Sequence, residues 1–116
     1  MITMKTIDKK ITRDELKLMA KNMFDDLVKA VVDINKKIMV VDAPMHSDEE
    51  AKLIKNGSKQ EDLWGINLYP GKHGEDFIEF DSMINIKPNQ DNRSRDVGDP
   101  KIRKIIIQIV NKLVEK

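Results

Sequence analysis

Apolar residues recur along this chain in two rhythms. Leu16, Met19, Ala20, Met23 and Leu27 are spaced 0, 3, 4, 7 and 11, the repeat of one face of an α-helix. Thr12 and Glu15 stand just before them in the Thr-x-x-Glu arrangement, where each side chain satisfies an open backbone amide of the first turn. Together they predict a helix over residues 13–24, ending near Asp25 and Asp26. A wider stripe follows Asp99 and Pro100: Ile102, Ile105, Ile106, Ile109, Val110 and Leu113. Asp99 suits an N-cap, and Pro100 at the first helical position forfeits no hydrogen bond. Lys112 and Lys116 suit the negative end of that helix's dipole.

The second rhythm has period two. Residues 27–34 and 38–43 are rich in valine and isoleucine and are separated by Asn35, Lys36 and Lys37, which predicts an antiparallel hairpin. Neither run alternates cleanly, as expected of strands closed in on both faces. Residues 63–69, 76–81 and 83–87 do alternate. Trp64, Ile66 and Leu68 oppose Gly65, Asn67 and Tyr69; Ile78 and Phe80 oppose Phe77, Glu79 and Asp81; Ile84 and Ile86 oppose Met83, Asn85 and Lys87. Residues 47–57 admit two readings. Ser47 and Glu50 form a second capping-box pattern with Gly57 placed to end a short helix, whereas Asn56-Gly57 is also a hairpin turn signal; the helix is the favoured one. The resulting order is α–β–β–(α)–β–β–β–α. It predicts an α+β, two-layer domain with a mainly antiparallel five-stranded sheet and the N- and C-terminal helices packed on one face.

Composition narrows the picture. With 116 residues the chain suits a single globular domain, residues 1–116, able to bury a core without disulfides or a structural metal. It has no cysteine, which removes thiolate metal sites and cysteine nucleophiles and suits a reducing cytoplasm. No apolar run approaches the roughly 20 residues of a membrane span, and the early lysines are not followed by the apolar segment of a signal peptide. A cytoplasmic location without a membrane partner is expected. The balance of 21 basic against 20 acidic residues gives no general attraction for phosphate backbones, so nucleic acid is disfavoured as a partner. A homodimer is compatible with the sequence, and no cofactor is implied.

Candidate chemistry is sparse. There is no phosphate-binding glycine loop, no Gly-x-Ser-x-Gly and no His-Glu-x-x-His. Two histidines, His46 and His73, cannot build a three-histidine metal centre. His46 and Asp48 are weak metal-ligand candidates in an acid-rich stretch that is also explained as a helix start, where carboxylates meet the positive dipole end. Asp62 precedes Trp64 and Gly65; a glycine inside a strand marks a bulge, a close ligand, or room for a packed neighbour. If sequential strands pair, Asn67, Tyr69, Glu79, Asp81, Asn85 and Lys87 share one polar face. Paired carboxylates there can work as acid and base or hold a cation, or simply be solvated. Arg93 and Arg95 lie in a turn-rich loop and can fork onto a phosphate or carboxylate.

The segments Gly57-Ser-Lys-Gln-Glu-Asp-Leu-Trp-Gly-Ile-Asn-Leu-Tyr-Pro70, Phe77-Ile-Glu-Phe-Asp-Ser-Met-Ile-Asn-Ile86 and Asn92-Arg-Ser-Arg95 together resemble a small prokaryotic family known only as a domain of unknown function. The resemblance implies a bacterial or archaeal source and brings no activity or catalytic residue. The residues themselves favour a small binding or interaction module using Asp62, Asn67, Glu79, Asp81, Asn85, Arg93 and Arg95. The alternative is a metal-dependent hydrolase or nuclease built on Asp62, Glu79 and Asp81. Convergence of those three acids in one cleft separates the two.

Overall fold

In a computed structural model, which describes residues 4–115, the elements run β1 (Lys5–Ile7), β2 (Ile11–Thr12), α1 (Arg13–Met23), β3 (Val28–Asp33), β4 (Ile38–Val41), α2 (His46–Lys55), β5 (Leu63–Leu68), β6 (Ile78–Glu79), α3 (Pro100–Leu113) and β7 (Val114–Glu115). Lys116, expected to favour the end of α3, lies outside the described residues.

The sheet is five-stranded and antiparallel throughout, in the order β1-β4-β3-β5-β6. The β3–β4 hairpin is the predicted one. Its turn is set by Asp33, whose Oδ1 accepts from the amides of Asn35 and Lys36, both at 2.9 Å. The other carboxylate oxygen accepts from the Ser58 hydroxyl at 2.6 Å, so this buried acid is satisfied on both sides.

The terminal helices share one face of the sheet, as expected. Leu16 and Ala20 of α1 and Ile106, Ile109, Val110 and Leu113 of α3 meet Val28, Ala30, Val32, Met39, Val41, Trp64, Ile66 and Leu68. Both predicted caps form. Thr12 and Glu15 make the reciprocal box, and Asp99 accepts from the Lys101 amide with Pro100 leading the helix. β2 and β7 pair in parallel, tying the start of α1 to the end of α3.

Residues 46–55 are helical, resolving the ambiguous stretch, but the cap differs from the expected one. The helix starts at His46 with Met45 as N-cap and no side-chain cap bond, so Ser47 lies inside the first turn. Its end follows the expectation. Gly57 at φ 100° lets its amide reach the Ile54 carbonyl at 3.0 Å and the Ser58 amide reach Leu53 at 2.9 Å, the paired bonds of a Schellman ending. α2 lies against the second face of the sheet, where Leu53 packs with Val31, Val40 and Leu63. That accounts for the burial of both faces of β3 and β4, where only Lys29 and Ile38 are half-buried.

Two expected strands take another form. Residues 76–81 keep only β6, after a 3₁₀ turn at Gly74–Asp76. Residues 83–87 do not form a strand: Met83–Asn85 is a 3₁₀ turn capped by the Ser82 hydroxyl, which accepts from the Ile84 amide. The fifth strand is instead β1, three residues long and without a visible alternation.

Candidate functional site

The second sheet face is apolar at one end and polar at the other. In the β3–β5 register Asp33 faces Leu63, Val31 faces Gly65 and Lys29 faces Asn67, and Asn67 faces Glu79 of β6. Side chains alternate along a strand, so Leu63, Gly65 and Asn67 rise toward α2 while Trp64, Ile66 and Leu68 point into the core. The polar end therefore gathers Lys29, Asn67 and Glu79, with His46 arriving from the start of α2.

Asn67 organises this end. Its Nδ2 donates to Glu79 Oε1 at 2.8 Å and to the Asp81 carbonyl at 3.4 Å, and the Tyr69 hydroxyl donates to the same Glu79 oxygen at 3.2 Å. Both partners of Nδ2 lie on the β6 side, so Oδ1 is turned away from β6. That oxygen is buried without a partner, in a residue only 6% exposed. Burial and the adjacent Glu79 charge raise the Tyr69 hydroxyl above its usual range, which keeps it a proton donor. Asp81 is held by Arg95, whose Nε donates to Oδ1 at 2.6 Å.

His46 is nearly buried. Its Nε2 lies 2.7 Å from the Ile66 carbonyl oxygen, and a carbonyl only accepts, so Nε2 carries the proton. Burial depresses the imidazole's pKa, against the opposing effect of that carbonyl, and Lys29 depresses it further. The ring is therefore held neutral, with the Nδ1 lone pair unpartnered among the described residues. Three positions on in α2, Glu49 is 0% exposed. Its Oε2 accepts from the Ala43 amide at 3.2 Å while Oε1 has no partner. Burial pushes this carboxyl well above the ordinary range, outweighing the Ala43 amide and Lys29, which act the other way.

Gly65 marks a close approach made by the chain itself. A Cβ on Gly65 would stand 2.5 Å from both Cβ and Oγ of Ser82 and 3.2 Å from His46 Cδ2. Beside it Asn85 replaces the missing strand. Its Oδ1 accepts from the Gly65 amide at 2.8 Å, and its Nδ2 donates to the Gly65 carbonyl at 2.9 Å and to the Arg95 carbonyl at 3.0 Å. The amide group of one side chain thus pairs with β5 as a strand backbone would.

The candidates predicted from sequence separate accordingly. Asn67, Tyr69, Glu79, Asp81 and Arg95 come together. Asn85 is adjacent but committed to the β5 backbone. Lys87 is buried elsewhere: its Nζ donates to the Gln60 carbonyl at 2.8 Å and lies over the Trp64 ring, and burial lowers its pKa. Asp62 precedes β5, five residues before Asn67, about 16 Å away at strand rise. Arg93 points to solvent, 3.9 Å from Asp91. Asp48 stays in the first turn of α2. No group of three or more His, Asp or Glu among the described residues is arranged to hold a metal ion, and the three acids of the hydrolase reading do not converge.

Sequence reasoning missed Lys29, Glu49, Ser82 and Asn92. Asn92 pins the turn-rich loop: its Nδ2 donates to the carbonyls of Asn85, Ser94 and Asp96, and its Oδ1 accepts from the Gly98 amide. That loop is an asparagine-centred knot rather than a structureless connection. Only the spacing of Asn85 and Asn92 around a Pro-containing turn hinted at this.

The described residues thus form a small α+β domain with a polar sheet end and a buried histidine beside it. Residues 5–113 match the sequence model of the family described as "Protein of unknown function (DUF5674)", and the chain belongs to that family. No curated protein and no solved structure matches it.

Proposed function

We propose that this chain is a small binding module whose ligand is taken at the polar end of the α2-side sheet face, with Asn67, Glu79, Asp81 and Arg95 as contact residues. The observation that carries this reading is Asn67 Oδ1, a buried acceptor left without a partner. Such atoms are rare in folded proteins and cost about 1–3 kcal/mol each. The same sheet face carries two further acceptors, the Glu79 carboxylate, which Asn67 Nδ2 meets, and the Nδ1 of His46. Such a surface suits a ligand rich in N–H or O–H donors, with Lys29 and the N–H groups of Arg95 that Asp81 does not take left for an acidic group. No helix among the described residues is long and apolar enough to cross a membrane; with the missing cysteines, this supports a cytoplasmic place. Two apolar clusters on opposite faces of one sheet support reading residues 1–116 as a single domain.

The test compares wild type with the double variant Glu79→Gln/Asp81→Asn in a screen of nucleotides, single-stranded RNA and divalent cations. Glu79→Gln keeps a side-chain oxygen that can accept from Asn67, so folding is expected to persist. A ligand that binds wild type and loses tenfold in affinity, about 1.4 kcal/mol, in the variant supports the assignment. Equal affinity for a ligand that binds wild type removes both acids from the site.

A further inference from the structure

A second site lies on the other side of the molecule. A cleft of about 1340 Å³ runs between residues 73–80 and α3, lined by Arg13, Phe77, Ile78, Phe80 and Ile107 among others. Two arginines stand in its walls, each stacked on a phenylalanine. Arg103 lies over Phe80 and is spent: its Nε donates to the Val97 carbonyl and its Nη2 pairs with Asp96. Arg13 is different. Its Cζ lies 4.2 Å over the Phe77 ring, and its Nη1 donates to the carbonyls of Pro70 and Lys72, both at 3.1 Å. These contacts fix the guanidinium without neutralising it. No carboxylate among the described residues pairs with it, and Nε and Nη2 have no partner.

The floor beside Arg13 is apolar and extends past the core at Ile107. Ile107 is 39% exposed and lies off the stripe through which α3 meets the core. Ile78 and Phe80 are partly buried and continue that surface. Glu75 and Asp76 lie on the rim and disfavour a second negative charge on anything bound.

We propose that this cleft binds a small organic anion, a carboxylate or phosphate ester with an apolar body. The head forks onto Nε and Nη2 of Arg13, the geometry in which a guanidinium holds a planar or tetrahedral oxyanion. The body covers Ile78, Phe80 and Ile107. The assignment is independent of the polar sheet face.

The probes are octanoate, octyl phosphate and uncharged octanol, titrated into the full chain and followed by amide chemical shifts. Octanoate, octyl phosphate or both should shift residues lining the cleft, and octanol should bind at least tenfold more weakly. Ile107→Glu changes an exposed side chain, so it should fold and lose at least tenfold in affinity for the anions. Arg13→Gln should lose the preference for anion over octanol. Which of the two anions binds more tightly identifies the head group. Failure of both anions to bind, octanol binding as tightly as octanoate, shifts mapping away from the cleft, or an unchanged affinity in Ile107→Glu would each overturn the proposal.

Discussion

Replacing Gly65 with alanine tests the way residues 82–95 are attached to the sheet. The new Cβ would meet Ser82 Cβ and Oγ, each 2.5 Å away, inside any real carbon contact. Gly65 is in β5 with no positive φ, so the backbone itself accepts alanine, and relief of glycine's entropy favours it by about 0.5–1 kcal/mol. Against that, Ser82 must leave, and Asn85 with it. The two bonds between Asn85 and the Gly65 backbone are worth about 1 kcal/mol each, and overpacking adds about 1–3 kcal/mol. The expected net loss is about 3 kcal/mol, from these terms together. Urea unfolding reads it as a lower midpoint at constant slope. Ser82→Gly removes both clashing atoms, so Gly65→Ala/Ser82→Gly should recover more than half of the loss; only His46 Cδ2, 3.2 Å away, still has to yield. A single variant within about 0.5 kcal/mol of wild type, or a double variant whose loss is the sum of the two single losses, would refute the packing account.

Three further outcomes are expected. Glu49's raised pKa means that the folded state holds its proton more tightly than the unfolded chain; its contribution is full below the ordinary carboxylate value of about 4.3 and is lost as pH rises through the folded value. His46's lowered pKa works oppositely, its contribution being present above about 6.5 and lost as pH falls. Glu49→Gln should therefore flatten the alkaline-going decline in a series of unfolding midpoints against pH, and His46→Gln the acid-going one; unchanged profiles count against the burial account of both groups. Asn92→Ala strips partners from three carbonyls and one amide at once, and should cost about 2–4 kcal/mol by unpaired buried groups with faster amide exchange across residues 85–98. Truncation before Pro100 removes Ile106, Ile109, Val110 and Leu113, all buried, each worth about 1.5–3 kcal/mol; a cooperative melt in the truncated chain would contradict the architecture.

Elements with a strong local signal were legible in the sequence. α1 and α3 carry both a stripe and a cap, and each begins at the residue its cap dictates. The β3–β4 hairpin was legible because valine-rich strands flank a short polar link. β1 was not, because three residues paired with β4 carry no periodicity of their own. Residues 83–87 misled for a physical reason: alternation shows that successive side chains face opposite environments, not that the backbone joins a ladder. Ile84 packs against the cluster of Val31 and Leu53 while the Asn85 side chain, rather than its backbone, makes the ladder bonds.

The same distinction separates the readable from the hidden part of the polar site. The grouping of Asn67, Tyr69, Glu79 and Asp81 was legible because β5 and its hairpin partner obey alternation, and a face read at period two is a face in space. His46, Lys29 and Glu49 reach that end from α2 and from the other neighbour of β5. The crossover by which α2 carries the chain over the sheet, from β4 to β5, leaves no local mark. A buried acid such as Glu49 reads in sequence as one more charge at a helix start, and Asp48 and Glu49 are adjacent, yet only Glu49 is enclosed. Their opposite fates depend on the roughly 100° of rotation between successive helical residues relative to a sheet whose strand order the sequence did not disclose. Chemistry borne by single strands was therefore visible, whereas chemistry assembled across the crossover required the fold.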